Sequence, residues 1–195
     1  MIAIIDYGAG NIASVRNALQ RISAECSVTR DPGKILSADG VIFPGQGRAG
    51  AAMRELRQKG IDRAIRRIKK PFLGICLGMQ LLCRYSEEDN VKCLGIFPGK
   101  CRRFPPTLKT PHLGWNRVNF TRKSPLSFRI PDGSCFYFAH SYYIDADTHV
   151  IAQAGYGFDF PAIMQKNNFF AVQFHPEKSG TKGTQLLRNF LKLCS

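Results

Sequence analysis

Short hydrophobic runs alternate with helical segments through the first 90 residues, and this rhythm limits the fold more than any other feature of the chain. The runs are residues 2–6 (IAIID), 25–29 (ECSVT), 40–43 (GVIF) and 71–75 (PFLGI). The helical pattern after the first run passes through Ile12, Val15, Leu19 and Ile22. A long basic helix is predicted between the last two runs. Strands that alternate with helices in this way predict a parallel sheet with helices on both faces.

The pattern changes after about residue 90, where helical periodicity ends and shorter strand-like runs follow. They are residues 115–120, 135–140, 149–154, 161–166 and 169–174, separated by Gly and Pro. A last amphipathic segment passes through Leu186, Leu187, Phe190, Leu191 and Cys194. We therefore expect antiparallel strands added to an α/β core. Because 195 residues suit one domain, we expect a single domain over residues 1–195.

The composition argues against several classes of protein. No apolar stretch approaches the roughly 20 residues of a membrane-spanning helix, and the N-terminal MIAIID lacks the basic region of a signal peptide. The seven cysteines form no C-x-x-C pair, and a chain of this size folds without disulfides. We expect a cytoplasmic protein whose thiols are mostly small buried side chains, without a metal or redox cofactor.

A formal charge of +14, from 28 Lys and Arg against 14 Asp and Glu, raises the question of nucleic-acid binding. A local excess of basic residues falls in the predicted long helix, where they alternate with apolar residues at helical spacing. They are Arg54, Arg57, Lys59, Arg63, Arg66, Arg67, Lys69 and Lys70. This spacing favours the solvated face of an amphipathic helix, with a docking surface for an acidic partner as the alternative. No nucleic-acid-binding motif supports direct binding, and we expect none.

The first candidate site is G-x-G-x-x-A at Gly8, Gly10 and Ala13, which follows a strand and opens a helix. With the acidic Asp31 about 20 residues further on, it matches a dinucleotide-binding fingerprint. The alternative is a tight strand-to-helix turn in which glycine allows close backbone approach. We favour the turn, since the second half of a doubly wound cofactor fold is not evident.

The second candidate is Gly74-Ile75-Cys76-Leu77-Gly78, which lies between a hydrophobic strand and a helix. Strand, turn and helix around G-x-C-x-G is the pattern of a nucleophile elbow with cysteine as the nucleophile. The dipole at a helix N-terminus favours the thiolate, and the Leu77 backbone N–H is placed to donate to an oxyanion. A buried structural cysteine is the alternative, but two glycines at this spacing favour catalysis.

A thiol nucleophile needs a base, and His175-Pro176-Glu177 follows the run FFAVQF directly. On an extended chain, residues two apart share a face, so we expect both side chains to point toward the thiol. The carboxylate of Glu177 would then orient the ring of His175 and stabilise its protonated form. A surface ion pair is the alternative.

The three other histidines have no adjacent acid, and we expect structural roles for them. They are His112, His140 and His149. Since His140 precedes Ser141 and Tyr142, it is a candidate for the wall of a pocket.

The last candidate feature is Pro44-Gly45-Gln46-Gly47, whose backbone N–H groups are able to form a nest for an anion. Without the other motifs, this segment would be interpreted as a flexible turn.

Together these residues resemble the class I (triad-type) glutamine amidotransferases, and among them the glutaminase subunits of imidazole glycerol phosphate synthase. The resemblance covers nearly the whole chain. Its motifs are DYGAGN (6–11), PGQG (44–47), GICLGMQLL (74–82), SEE (86–88), PHLGWNRV (111–118), FYFAHSYY (136–143) and QFHPEKSG (173–180). GICLGMQ with HPE is specific for the superfamily, whereas PHLGWN and FYFAHSY indicate this group of subunits.

The resemblance implies an α/β fold with a flavodoxin-like, mostly parallel central sheet flanked by helices. It implies the triad Cys76, His175 and Glu177, which hydrolyses glutamine to glutamate and ammonia through a γ-glutamyl thioester. The oxyanion donors would be the backbone N–H groups of Gln46 and Leu77. The implied glutamine-binding residues are Gly47, Gln80, Glu88, Ser141 and Tyr142, with Glu88 as the partner of the α-ammonium group.

The resemblance also implies a heterodimer with a (β/α)8-barrel cyclase, which uses the ammonia to make imidazole glycerol phosphate and an aminoimidazole carboxamide ribotide. Gate residues at the subunit boundary would be Asn11, Trp115, Tyr137 and Lys178. Glutaminase activity would stay low until the cyclase site is occupied, with the coupling carried by the oxyanion turn.

One departure falls in that turn, because the family commonly has PGVG where this chain has Gln46. Two alternatives remain open: a glutaminase that serves another partner, such as an amidotransferase of surface-polysaccharide synthesis, and a basic binding module without turnover.

Overall fold

A nine-stranded sheet forms the centre of the molecule in a computed structural model that describes residues 1–8, 11–146 and 148–194. Five strands are parallel: β1 (Ile2–Ile5), β2 (Cys26–Thr29), β3 (Gly40–Phe43), β4 (Phe72–Ile75) and β13 (Phe169–Val172). Their order, β2-β1-β3-β4-β13, is the flavodoxin-like order of a doubly wound sheet. The predicted α/β architecture is confirmed.

The other half of this sheet is antiparallel, as the change of pattern after residue 90 predicts. It contains β12 (Asp159–Lys166), β11 (Val150–Gly155), β8 (His112–Phe120) and β9 (Ser134–His140), in that order outward from β13. A second, four-stranded sheet was not predicted. It contains β10 (Tyr142–Asp145), β7 (Lys100–Arg103), β5 (Tyr85–Ser86) and β6 (Val91–Lys92). Strands of two to four residues are too short to show an alternating pattern.

Six α-helices flank the sheet in the described part of the chain. They are α1 (Ile12–Gln20), α2 (Pro32–Ser37), α3 (Ala49–Gln58), α4 (Ile61–Arg67), α5 (Leu77–Leu81) and α6 (Gly180–Leu193). The prediction of one long basic helix was wrong, because Gly60 adopts a left-handed φ of +69° and separates α3 from α4. The apolar side chains of both helices are buried, except for Ala51, while their basic side chains are exposed, as the spacing predicted.

Helix α2 accounts for Asp31, the acidic residue of the candidate dinucleotide fingerprint. Its carboxylate accepts hydrogen bonds from the N–H groups of Gly33 and Lys34, at 2.7 and 3.3 Å. Pro32 occupies the first turn, where its missing N–H costs nothing. Asp31 is therefore a helix N-cap, which favours the tight-turn interpretation. Ala9 and Gly10 of the same motif lie outside the described residues.

Hydrophobic side chains pack on both faces of the sheet, which is why its central parallel strands read as unbroken apolar runs. One cluster lies under α1 and α6 and includes Phe136, Phe174 and Phe190. The other lies under α3 and α4 and includes Phe43 and Phe72. Within the described ranges, no helix has the length and apolar character needed to cross a membrane.

Candidate active site

The carboxyl ends of three neighbouring parallel strands converge on one cavity. Strand β3 ends at Phe43 before the Pro44–Gly47 turn, β4 ends at Ile75 before Cys76, and β13 ends three residues before His175. Ligands of open α/β sheets bind at this edge. The cavity is lined by every residue predicted to bind glutamine, by both predicted oxyanion residues, and by two members of the triad. These are Gly47, Gln80, Glu88, Ser141, Tyr142, Gln46, Leu77, Cys76 and His175.

Cys76 occupies the sharp turn that its flanking glycines predict. Its φ of +53° and ψ of −111° lie in a region that costs a non-glycine residue about 1–3 kcal/mol. Two hydrogen bonds hold this conformation: the Cys76 N–H donates to the Val172 carbonyl at 2.8 Å, and the Gln80 N–H donates to the Cys76 carbonyl at 3.1 Å. The turn therefore presents the Cys76 sulfur to the cavity at the N-terminus of α5, although the residue as a whole is only 6% exposed.

Two glycines let the nucleophile turn and the Pro44–Gly47 turn approach each other closely. A Cβ atom at Gly45 would lie 2.6 Å from both the Gly78 nitrogen and the Leu77 Cβ. A Cβ at Gly78 would overlap the Phe43 carbonyl oxygen. Contacts this short do not occur with real side chains, so both turns require glycine at these points.

His175 lies between the thiol and a buried carboxylate. Its Nδ1 atom is 2.8 Å from Oε1 of Glu177, and the two side chains are 2% and 1% exposed. Burial by itself lowers the pKa of His175, but hydrogen bonds with Cys76 and Glu177 outweigh it and raise that pKa to about 10. The arrangement favours a protonated ring in contact with the sulfur.

The backbone between His175 and Glu177 is not extended, as had been expected, but forms a turn. Strand β13 ends at Val172, and Pro176–Lys178 forms a single 3-10 turn. The prediction that an extended chain places both side chains on one face was therefore wrong, although the contact itself forms. The turn is fixed by Ser179, whose hydroxyl donates to the His175 carbonyl at 2.6 Å and accepts from the Tyr137 N–H at 3.0 Å.

Ser179 and Gln173 are two residues of the site that the sequence pattern did not single out. Gln173 is fully buried, with Nε2 at 3.8 Å from the Cys76 sulfur and Oε1 accepting from Gln80 at 3.1 Å. Its position inside the strand-like run FFAVQF was the available signal, since a buried amide in such a run requires partners.

Two predicted glutamine-binding residues have partners of their own within the protein. The Gln80 side-chain amide donates to the Tyr142 carbonyl at 2.9 Å, which fixes the cavity wall. Glu88 uses Oε2 to accept from the Ala49 N–H at 2.8 Å, at the start of α3. Burial raises the pKa of Glu88, and this hydrogen bond opposes the increase. Glu88 therefore caps a helix while it lines the cavity.

Two histidines form a buried chain of hydrogen bonds behind the cavity. Nδ1 of His140 is 2.7 Å from the Tyr142 carbonyl, and its Nε2 is 3.1 Å from Nδ1 of His112. Burial lowers the pKa of His140 to about 3 and also lowers that of His112. Both rings are therefore neutral near pH 7, consistent with the structural role expected for them, and His140 lines the cavity as expected.

Three of the four predicted gate residues lie together. The rings of Trp115 and Tyr137 meet edge-on with centroids 6.2 Å apart, and the Lys178 ammonium is 5.8 Å from the Tyr137 centroid. Trp115 is 58% exposed. The fourth residue, Asn11, accepts a hydrogen bond from the Ser14 N–H at 3.4 Å as the N-cap of α1. No hydrogen bond or ring contact joins it to the other three in the part of the chain that is described.

All seven cysteines have free thiols, of which Cys76, Cys83, Cys93 and Cys101 are buried and Cys135 is exposed. Burial raises the pKa of Cys93 to about 12. Among residues 1–8, 11–146 and 148–194, no group of three or more His, Cys, Asp and Glu side chains is arranged to hold a metal ion.

Known proteins with similar sequences agree on one family. The family model for glutamine amidotransferase class-I matches residues 3–194. The chain is 47% identical over 195 residues to imidazole glycerol phosphate synthase subunit HisH of Bacteroides fragilis, covering 98% of this chain and 99% of that protein. It is 48% identical over 198 residues to the same subunit of Moorella thermoacetica, covering 98% and 94%.

Solved structures show the same fold at lower sequence identity. A crystal structure of a glutamine amidotransferase matches with a TM-score of 0.78 and 18% identity, covering 100% of this chain and 99% of that chain. A chain in the structure of PurLQS from Thermotoga maritima matches with a TM-score of 0.74 and 20% identity, covering 98% and 97%.

Proposed function

Because the chain belongs to the class I glutamine amidotransferase family, we propose that it is the glutaminase subunit of an imidazole glycerol phosphate synthase. It hydrolyses glutamine to glutamate and ammonia for histidine biosynthesis. The single observation that carries the chemistry is the strained Cys76 turn, which shares its cavity with a buried His175–Glu177 pair.

Hydrolysis proceeds in two steps. The Cys76 thiolate, whose proton already resides on His175, attacks the side-chain amide carbon of glutamine. The backbone N–H groups of Leu77 and Gln46 stabilise the oxyanion that forms. The C–N bond then breaks, His175 gives its proton to the leaving ammonia, and a γ-glutamyl thioester remains. Water attacks this thioester with His175 as the base, which releases glutamate and restores the Cys76 thiolate beside the protonated His175.

The positions of the other cavity residues support their proposed role in binding glutamine. Glu88 places a half-buried carboxylate at the cavity wall, where it is able to pair with the α-ammonium group of the substrate. Gln80, held by Tyr142 and Gln173, would fix the wall against which the substrate lies. Ser141 and Gly47 complete the pocket.

The partner that we propose is a (β/α)8-barrel cyclase, in a heterodimer that makes imidazole glycerol phosphate and an aminoimidazole carboxamide ribotide. The exposed Trp115 and Leu113, which are 58% and 64% exposed, support docking at the face that carries the gate residues. The Tyr137 carbonyl accepts a hydrogen bond from the His175 N–H at 2.8 Å, so this face is connected directly to the triad.

We propose that residues 1–195 act as one catalytic domain, which the single central sheet supports. The seven free thiols support a reducing, cytoplasmic setting.

Glutamate release from the purified chain, measured alone and with cyclase and its ribonucleotide substrate, tests the proposed function. We expect slow hydrolysis alone, strong stimulation in the complete mixture, and a loss of several orders of magnitude in Cys76→Ser. Cys135→Ser, which changes an exposed thiol, is the matched control and should keep full activity. Hydrolysis without stimulation would indicate a different amidotransferase partner. No hydrolysis under any condition would refute the glutaminase proposal.

A further inference from the structure

Gln173 places a side-chain amide next to the reacting sulfur. It is the first residue after β13, lies two residues before His175 and is fully buried. Its backbone N–H donates to the Ala162 carbonyl at 2.9 Å, which extends the pairing of β13 with β12 by one residue. Its side-chain Nε2 atom lies 3.8 Å from the Cys76 sulfur and donates to it. The nucleophile therefore has a polar contact from outside the triad.

The surrounding hydrogen bonds decide which end of this amide faces the sulfur. The side-chain nitrogen of Gln80 is 2.9 Å from the Tyr142 carbonyl, which is only an acceptor, so this end of Gln80 is the NH2 group. The same nitrogen is 3.1 Å from one end of the Gln173 amide, which must therefore be the oxygen. The end that faces Cys76 is then the NH2 group of Gln173.

Two neutral histidines hold the Tyr142 carbonyl from its other side. Nδ1 of His140 donates to this carbonyl at 2.7 Å, so its Nε2 is the acceptor, from Nδ1 of His112 at 3.1 Å. Nε2 of His112 in turn accepts from the side-chain nitrogen of Asn116 at 3.2 Å, and that nitrogen also donates to the Gly155 carbonyl at 2.8 Å. Backbone carbonyls thus fix the polarity of the whole chain of hydrogen bonds, and with it the orientation of Gln173.

A thiolate at position 76 needs the donor that Gln173 supplies. Since His175 holds the proton, the sulfur carries a negative charge while its residue is only 6% exposed. A buried charge is costly unless hydrogen bonds satisfy it, and those to a charged group are about twice as strong as those between neutral groups. A neutral thiol would instead donate, to the Ala139 carbonyl at 3.9 Å. The contact with Gln173 therefore favours the thiolate over the thiol.

We propose that Gln173 is a fourth catalytic residue: its side-chain N–H donates to the Cys76 thiolate before the attack on glutamine and again when the sulfur leaves the γ-glutamyl carbon. In that later step the C–S bond breaks and its electron pair returns to the sulfur, where the amide meets the restored charge. Gln173 neither gains nor loses a proton. The proposal rests on the proposed function, since it gives the amide a part in glutamine hydrolysis.

Gln173→Met keeps the length of the side chain and removes the amide, so it tests this role. The rate at which iodoacetamide alkylates Cys76, followed by peptide mass spectrometry over a range of pH, reports the thiolate in the full chain without glutamine or a partner. We expect the pH of half-maximal alkylation to be about one unit higher in the variant, equivalent to about tenfold less thiolate at low pH. In the complex with cyclase and ribonucleotide, kcat at pH 7 should fall by about tenfold, because the departing sulfur loses its donor.

Gln165→Met is the matched control. Gln165 lies on the neighbouring strand β12, and its amide oxygen accepts from the Ser124 hydroxyl at 3.0 Å. The same substitution there removes a hydrogen bond that does not involve the sulfur. It should leave the alkylation profile and kcat unchanged.

An unchanged alkylation profile in folded Gln173→Met would overturn the proposal, and so would an unchanged kcat. A higher KM for glutamine with an unchanged alkylation profile would show that the amide only holds Gln80 in the cavity wall, which also overturns it. The pH profile separates the two roles, because a defect of packing alone does not move the pH at which the thiolate forms.

A second measurement decides the question if Gln173→Met does not fold. The side-chain amide protons of Gln173 in the full chain should shift in Cys76→Ala, whereas those of Gln165 should not, because only the first amide loses its acceptor. Unshifted Gln173 protons would overturn the proposal. If the unaltered protein hydrolyses no glutamine, the proposed function fails, whereas the alkylation profile and the amide protons still show whether Gln173 binds the thiolate.

Discussion

Replacing Gly45 by alanine places a methyl group between the two turns that carry the proposed oxyanion donors. The new Cβ would lie 2.6 Å from the Gly78 nitrogen and from the Leu77 Cβ, whereas ordinary contact begins at 3.4 Å. The turns must therefore separate by about 0.8 Å. Gly45 does not have a positive φ, so the backbone itself accepts alanine and the effect is one of crowding.

A displacement of this size at the reacting centre is expected to lower both the rate of catalysis and the stability of the fold. Misplacement by about 1 Å lowers rates by up to about 10²-fold, and loss of one oxyanion donor lowers kcat by about 10²–10³-fold. We expect kcat for Gly45→Ala to fall about 10- to 100-fold with a smaller change in KM. Overpacking should lower the free energy of unfolding by about 1–3 kcal/mol.

The assay is steady-state glutamate release in the stimulated complex, together with urea unfolding of each variant. Gly60→Ala is the matched control, because Gly60 has a φ of +69° and a Cβ added there would meet no atom within 4 Å. It should lose about 1–2 kcal/mol of stability through backbone strain and keep its kcat. A folded Gly45→Ala protein with unchanged kcat would refute the view that close contact between the turns sets the oxyanion geometry.

Two further predictions concern the cavity wall. Glu88→Gln should raise KM for glutamine about 10-fold or more, because it removes the proposed partner of the ammonium group. Asp89→Asn is the control and should leave KM unchanged, since Asp89 also accepts a hydrogen bond at the start of α3, from Gly50 at 3.0 Å. Equal KM values for the two variants would contradict the role of Glu88. Since the pKa of His140 is about 3 in the folded protein and about 6.5 when unfolded, the unfolded state binds more protons between these values and stability falls as the pH decreases. From pH 6.5 to pH 5 this residue should cost about 1.6 kcal/mol, because the slope approaches about 1.4 kcal/mol per pH unit only once the unfolded ring is mostly protonated. Urea unfolding of His140→Asn at both pH values should show a correspondingly smaller loss.

The parallel half of the sheet could be predicted because each of its central strands is buried on both faces. Such strands are unbroken apolar runs, and glycine at the strand ends marks the turns that follow. The Cys76 turn was predictable for the same local reason, since G-x-C-x-G between strand and helix has few structural solutions.

Other features depend on contacts that are distant in sequence and leave little local signal. The break at Gly60 was missed because the apolar spacing continues across it while both helices bury the same kind of stripe. Helix α2 has a local signal in Asp31-Pro32, but the acidic residue was also compatible with a nucleotide site. Ser179 acts through hydrogen bonds to His175 and Tyr137, and the latter is 42 residues away.

The central claim is that the Cys76 sulfur carries the γ-glutamyl group during turnover. Acid quenching of the stimulated enzyme during glutamine hydrolysis, followed by peptide mass spectrometry, tests this most directly. We predict one γ-glutamyl group on the peptide that contains Cys76, with none on the other six cysteines and none in Cys76→Ser. A γ-glutamyl group on a different thiol such as Cys135, or undiminished turnover in Cys76→Ser, would contradict the account.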